Sequence, residues 1–301
     1  MNIRSMSVSG PGQAVDTTAA TEMLPAVAFV VLWSTGYIAG KTAVMHAAPF
    51  TVLTLRFGGA SLLFAVLVAW LRPAWPGLRV VWHSAGVGLL TLALQFGGVY
   101  EAFSLGSSSG FAALVIGSMP LATSLAAAAL GEKQRVNHWI GLFMGFAGVL
   151  LVLEDRLGSG LGSATAGFAL FLGLCGITFG TLYQKRHAVN VDFNIGLLSQ
   201  NLAATVVLAP VALLHEHLRF DPTPAFVGSM LWMILVNSGA AFILLFLLLR
   251  HGAATRVSTL FYLVTPVTAV MGWALMGEPM SVVKLLGFAL AAAGVYIGTR
   301  R

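Results

Sequence analysis

An arginine sits inside an otherwise apolar stretch of this chain. Arg56 lies about two helical turns into a run over residues 50–71. A guanidinium offers a planar fork of N–H donors that can hold a carboxylate at two points. Arg56 therefore suits either a carboxylate-bearing solute or a structural ion pair, for which Glu101 is the available partner. Glu101 is the one carboxylate placed clearly within an apolar run, and it is the candidate for proton coupling. Lys41 and Glu101 both fall near run ends, where either side chain could reach water. Other polar or aromatic residues interrupt the runs near their middles: Trp33, Ser34, Thr35 and Tyr37, then Gln95, Tyr100 and Ser118, then Thr178, Gln200, Asn237, Tyr262 and Thr265. As a set they suit a pocket for a small, partly apolar solute with polar handles. Each could equally serve helix packing. The histidines lie near run ends or between runs, and His215-Glu216-His217 resembles a metal-binding fragment only superficially. No acid–base pair or ligand set points to catalysis, a metal or a cofactor.

The elements that must carry these groups follow from composition. The chain has 301 residues, 58% hydrophobic and 9% charged, and its mean hydropathy is +0.89. A soluble domain carries about 25% charged residues. Here apolar runs follow one another with few breaks, and each needs about 20 residues to cross a bilayer. The expectation is an all-α polytopic membrane protein with spans near residues 23–45, 50–71, 80–103, 109–130, 138–153, 164–183, 194–214, 225–249, 253–276 and 282–298. The fifth and tenth are short. Residues 1–22 are small and polar, with Gly10-Pro11-Gly12, and read as a disordered cytoplasmic tail. The net charge of +6 does not imply nucleic acid, because the basic residues stand singly or in pairs at segment ends. One side collects Arg4, Arg72, Arg79, Lys133, Arg135, Lys185, Arg186, Arg250, Arg256, Arg300 and Arg301; the other collects Lys41, Arg156, Arg219 and Lys284. That bias places both termini in the cytoplasm and requires an even number of spans. Cys175 is the lone cysteine, so no intrachain disulfide forms.

The chain also repeats itself. Pro120, Gly131-Glu132, Gly141 and Gly148 return at identical spacing as Pro266, Gly277-Glu278, Gly287 and Gly294. Gly36, Gly40 and Lys41 align with Gly180, Gln184 and Lys185, and Arg56 aligns with Gln200. Such matches indicate a duplication. With five spans per half, the second half is upside down relative to the first, the arrangement on which alternating access is commonly built. Pro120 and Pro266 are expected to kink their helices. Glu132 and Glu278 then fall on opposite faces and are expected to cap the helices that follow them or to satisfy turn amides. Gly141 and Gly145 form a small-residue pair, mirrored by Gly287 and Ala291, expected to bring helices together within one chain in preference to between two.

Trp33-Ser34-Thr35-Gly36, Arg56-Phe57 and the two Pro…Gly-Glu…Gly…Gly blocks resemble the EamA-type branch of the drug/metabolite transporter superfamily. The resemblance spans residues 24–299. It implies ten helices in two inverted five-helix repeats, over residues 23–154 and 164–299. It further implies a secondary transporter in the cytoplasmic membrane, an exporter of amino acids or similar small organic metabolites. The partners are then a small organic solute and the lipid bilayer. An oligomer is compatible with this but not required. The competing readings are an intramembrane or lipid-handling enzyme and a passive facilitator. No phosphate loop for ATP-driven transport is present.

Overall fold

The computed structural model describes residues 16–129, 136–157, 164–188, 191–242, 244 and 254–299, and these contain helices and short connections with no named strand. In chain order the helices are α1 (Asp16–Val44), α2 (Pro49–Leu71), α3 (Leu78–Ser104), α4 (Ser109–Gly117 and Met119–Ala129), α5 (Val136–Leu157), α6 (Ala164–His187), α7 (Phe193–His215), α8 (Pro224–Ala241), α9 (Ala254–Met276) and α10 (Val282–Thr299). Backbone amides cannot be left unpaired in hydrocarbon, so apolar runs of this length fold as helices. Seven are long and apolar enough to cross a membrane, and shorter apolar segments lie at Trp139–Gly148, Val264–Met276 and Val282–Gly294. Leu62, Val66, Phe143, Phe146, Phe168, Phe171 and Val206 are exposed, as a lipid-facing surface requires.

Helix boundaries depart from expectation at three places. α1 begins at Asp16, ahead of the first expected span, because Thr17-Thr18-Ala19-Ala20-Thr21-Glu22 extends the helix. Only residues 1–15 of the expected tail lie outside the described residues. α5 is not short: its 22 residues continue through polar Glu154-Asp155-Arg156. In α4 the interruption falls at Ser118, just ahead of Pro120, and leaves two helical pieces. Pro266, by contrast, lies within one continuous α9.

Packing links the two halves. α1 packs on α8 and α9, while α6 packs on α3 and α4. α2 packs on α7, and α5 on α10. The last pair is a close crossing of glycines. A Cβ on Gly148 would lie 2.6 Å from the Gly287 carbonyl oxygen, and one on Gly294 would lie 2.7 Å from the Gly145 nitrogen. The expected small-residue contact is therefore made within the chain. α3 and α8 share a further irregularity: each contains a π-helical stretch, Leu89–Leu94 in one and Trp232–Ala241 in the other. Such widened turns are frequent at functional sites.

The connections are also tied together at one end. The Glu216 carboxylate accepts from Phe50 N at 3.1 Å, Thr51 N at 2.5 Å and Thr51 Oγ1 at 2.7 Å. It thus satisfies free amides at the start of α2, where a negative charge is favoured. The His215-Glu216-His217 stretch serves as a helix cap through its central residue. Glu216→Ala is expected to cost about 1–2 kcal/mol, the scale of a lost helix cap, read as a lower melting temperature of purified protein in detergent.

Candidate functional site

The organising helix is α1, whose faces meet helices from both halves. On the face toward α9, Ser34 Oγ donates to the Val264 carbonyl at 3.3 Å. α9 in turn reaches α4, where Thr265 Oγ1 donates to the Ala113 carbonyl at 3.2 Å. Gly117 lies against that same hydroxyl, which leaves no room for a side chain. On the face toward α8, Asn237 Nδ2 donates to the Leu32 carbonyl at 2.6 Å. Thr35 Oγ1 accepts from Trp232 Nε1 at 2.8 Å and donates to Leu32 O at 2.6 Å. Trp33 meets Phe242 with ring centroids 5.3 Å apart. Asn237 Oδ1 is buried without a partner among the described residues. Asn237 fits because Gly36 faces it: a Cβ there would stand 3.1 Å from its amide nitrogen.

One turn further along α1, Gly40 faces Tyr100, and a Cβ at Gly40 would stand 2.5 Å from the Tyr100 hydroxyl. This close approach admits Arg56. Its Nη1 donates to Tyr100 Oη at 2.7 Å, and Tyr100 Oη donates onward to Met233 Sδ at 2.9 Å. The guanidinium carbon lies 4.4 Å from the centroid of Phe96, with Phe57 and Tyr100 at 5.6 and 5.9 Å. Arg56 is 5% exposed, and its Nε has no partner among the described residues. The Glu101 partnership weighed from sequence is not made. Tyr100 turns inward to Arg56, whereas Glu101, its neighbour on the helix, is half-buried. Among the described residues this buried cation is held by aromatic faces and one neutral hydroxyl, without the carboxylate that normally offsets desolvation.

Lys41 does not simply reach for water. Its Nζ donates to Glu278 Oε1 at 2.5 Å. The same carboxylate accepts from Ser109 N at 2.9 Å and from Ser109 Oγ at 2.9 and 3.0 Å. Glu278 therefore caps α4, in the other half of the chain, and not the helix that follows it. α10 uses Ser281 Oγ, which accepts from Lys284 N at 3.2 Å. Gly272 leaves the space that the carboxylate and the serine occupy. Burial opposes ionisation of Glu278, but the Lys41 and Ser109 hydrogen bonds outweigh it and hold the carboxyl below the usual carboxylate range. Its stabilising effect is present above that range and is lost as pH falls through the lowered value.

The remaining sequence candidates are placed elsewhere or remain single. Gln95, Thr178 and Gln200 are buried on α3, α6 and α7. Backbone contacts from Gly173 and Gly176 to Gln95 hold α6 against α3, and Gly88 lies against the Gln200 backbone. Ser118 occupies the break in α4, where its hydroxyl donates to the Val115 carbonyl at 2.6 Å. Tyr37 is part-buried and packs in the core. The Tyr262 side chain and Glu132 lie outside the described residues. Sequence reasoning missed Phe96, Met233 and Ser109, which are ordinary apolar or small residues in ordinary runs. It noticed Lys41, Trp232 and Glu278 but did not join them to partners.

Comparison with known proteins places the chain in one family. The model of the EamA-like transporter family matches residues 21–154 and again residues 164–300, so the chain belongs to that family. It is similar to the inner membrane transporter YedA of Escherichia coli (strain K12), with 26% identity over 273 residues covering 90% of this chain and 88% of that protein. A transporter of Archaeoglobus fulgidus is 25% identical over 278 residues, covering 90% of this chain and 96% of its own. YvbV, a transporter of Bacillus subtilis (strain 168), is 25% identical over 271 residues, covering 88% and 87%. A crystal structure 20% identical in sequence has a similar fold, with a TM-score of 0.62 over 93% of this chain and 96% of the other. The protein is a multi-pass membrane transporter of the cell membrane, and family and relatives indicate a transporter and not an enzyme.

Proposed function

We propose that the protein is a secondary exporter of amino acids or similar small organic metabolites, working by alternating access at a midplane site between two inverted five-helix repeats. Both termini are cytoplasmic in this reading, and all ten helices cross the membrane. The observation that carries it is the meeting of polar groups from both halves along α1, through Ser34 with Val264 and Asn237 with Leu32. The paired packing of α1 on α8 and α9, and of α6 on α3 and α4, supports the inversion. So does the π-helical stretch in the third helix of each half. The substrate class rests on Arg56, a buried cation held through Tyr100 one turn of α1 away from Gly36, which Asn237 and its unpartnered Oδ1 face. A carboxylate would pair with the first and an ammonium or hydroxyl with the second. Glu101 remains the proposed proton-coupling group.

The test is counterflow in proteoliposomes with a labelled amino acid panel, with and without a pH gradient. Saturable exchange of one or a few carboxylate-bearing members is expected. Absence of exchange for every member, by protein shown to be folded, would remove amino acids as substrates. If exchange is driven by the gradient, Glu101→Gln is expected to uncouple it; an unchanged pH response would remove Glu101.

A further inference from the structure

Three contacts tie α1 and α4 of the first half to α9 and its following turn in the second at one end of the α1 seam, while the image of one of them, between Thr178 and Ser118, is not made. Lys41 pairs with Glu278, Glu278 caps Ser109, and Ser34 donates to the Val264 carbonyl. Between these contacts the seam is filled: Thr268 is fully buried, and Gly110 lies against Ala269.

The duplication assigns each of these residues an image. In the register that aligns Gly36 and Lys41 with Gly180 and Lys185, Ser34 aligns with Thr178. In the register that aligns Pro120 with Pro266, Val264 aligns with Ser118. The image of the Ser34–Val264 bond is therefore a bond from the Thr178 hydroxyl to the carbonyl of Ser118, where α4 is interrupted. α6 does pack on α4, yet the Thr178 hydroxyl is buried and has no partner among the described residues. Ser118's carbonyl instead accepts from Leu121 and Ala122 amides at 3.0 and 3.1 Å. Lys185, the image of the ion-paired Lys41, is exposed, and Glu132, the image of Glu278, lies outside the described residues. A buried hydroxyl without a partner costs free energy; Thr54, Thr123 and Thr268 share that state among the described residues, and what sets Thr178 apart is that the repeat assigns it a partner carbonyl.

We propose that Lys41, Glu278 and Ser109 form a latch that holds one mouth of the α1/α4/α9 seam shut, and that the Thr178–Ser118 contact forms at the opposite seam when this latch opens. The two contacts are alternatives, one per phase of a two-state cycle. Rupture of the ion pair is then a required step in exposing the site at the latch end. The inference rests on the inverted-repeat reading above, but not on the identity of the substrate. The latch carboxylate is held by charge-assisted bonds from two helices, so breaking it releases both at once. Ligand binding shifts such an equilibrium only through contacts that differ between the two states, and α1 carries both the latch lysine and the Gly36–Gly40 surface on which Asn237 and Tyr100 pack.

The experiment reads access and needs no substrate. Cys175 is replaced by Ser, and Thr268→Cys is introduced as the reporter within the closed seam. A membrane-impermeant maleimide is applied separately to each face of reconstituted protein. Glu278→Gln, which keeps an acceptor for Ser109, and Lys41→Gln are each expected to speed labelling about tenfold, equivalent to about 1.4 kcal/mol in the opening equilibrium. The gain should come from one face of the membrane only. Lys41→Arg should label like the parent. Thr178→Val, which removes the alternative bond, should slow labelling. Unchanged rates in both neutralising variants would overturn the latch. Equal acceleration from both faces would also overturn it, because that signals loosened folding. Acceleration by Thr178→Val would overturn the alternation. Because labelling is independent of transport, a failed amino acid panel would leave this result standing.

Discussion

Arg56→Met is expected to reduce saturable exchange by about a hundredfold while leaving the folded protein at least as stable. The two effects separate because they have different origins. Methionine matches the length and apolar stem of arginine and fits among Phe96, Phe57 and Met233. The substitution removes a buried cation for which no carboxylate is present among the described residues, and the desolvation cost of that charge goes with it. Tyr100 keeps its contact with Met233 Sδ, at 2.9 Å. What is lost is the group that would bind a carboxylate. A charge-assisted hydrogen bond contributes about 1.5–3 kcal/mol, and two such bonds in a fork account for the expected loss. Arg56→Lys keeps the charge but not the fork, and should remain about tenfold or more below the parent. Counterflow and a melting curve on the same preparation check both halves. If Arg56 served only the scaffold, the methionine variant would lose thermal stability and folded yield, and exchange per folded molecule would be retained.

Gly148→Leu is expected to prevent stable assembly of α5 against α10. A Cβ at this position would meet Gly287 O at 2.6 Å, Ala291 N at 2.7 Å and Ala291 Cβ at 2.8 Å. Two of these atoms are backbone, so no side-chain rotation relieves the clash, and the helices must part. In lipid the hydrophobic effect does not hold helices together, so parting costs the pair the close packing on which it depends. Close contact and dispersion hold such pairs together. Even Gly148→Ala should lower the melting temperature by about 5–10 °C, from the scale of overpacking and of thermal shifts in domains of similar size. Gly167→Ala is the control: nothing lies within 4 Å of its added carbon, and alanine favours the helix. Folded yield and melting temperature should fall for Gly148 variants and hold for Gly167→Ala.

The helices were legible because each is a local event. A bilayer forces every backbone amide to be satisfied within its own segment. Apolar length therefore predicted where helices lie, and the departures at Asp16 and at the end of α5 came from polar residues that helices tolerate outside hydrocarbon. The repeat was legible too, since Pro, Gly and Glu recur for backbone reasons that survive divergence. The intrachain meeting of Gly148 with Gly287 followed from small residues at matched positions. Partner choice was not legible. Arg56 was read against Glu101, the nearest carboxylate in depth, but a helix turns by 100° per residue, and Tyr100 is the side chain that faces it. Glu278 was read as a cap for its own neighbourhood. It caps Ser109 and pairs with Lys41, residues far away in the chain.

The sequence by itself determined the membrane-embedded helices, their duplication and the family to which they belong, since hydropathy and glycine placement act over one or two turns. Only the tertiary structure decided which polar groups meet: Ser34 with Val264, Asn237 with Leu32, Lys41 with Glu278. The reason is geometric. A side chain's neighbours depend on where two helices cross and how each is rotated, and that is set by the summed packing of many apolar contacts, none of which is written at the polar residue itself.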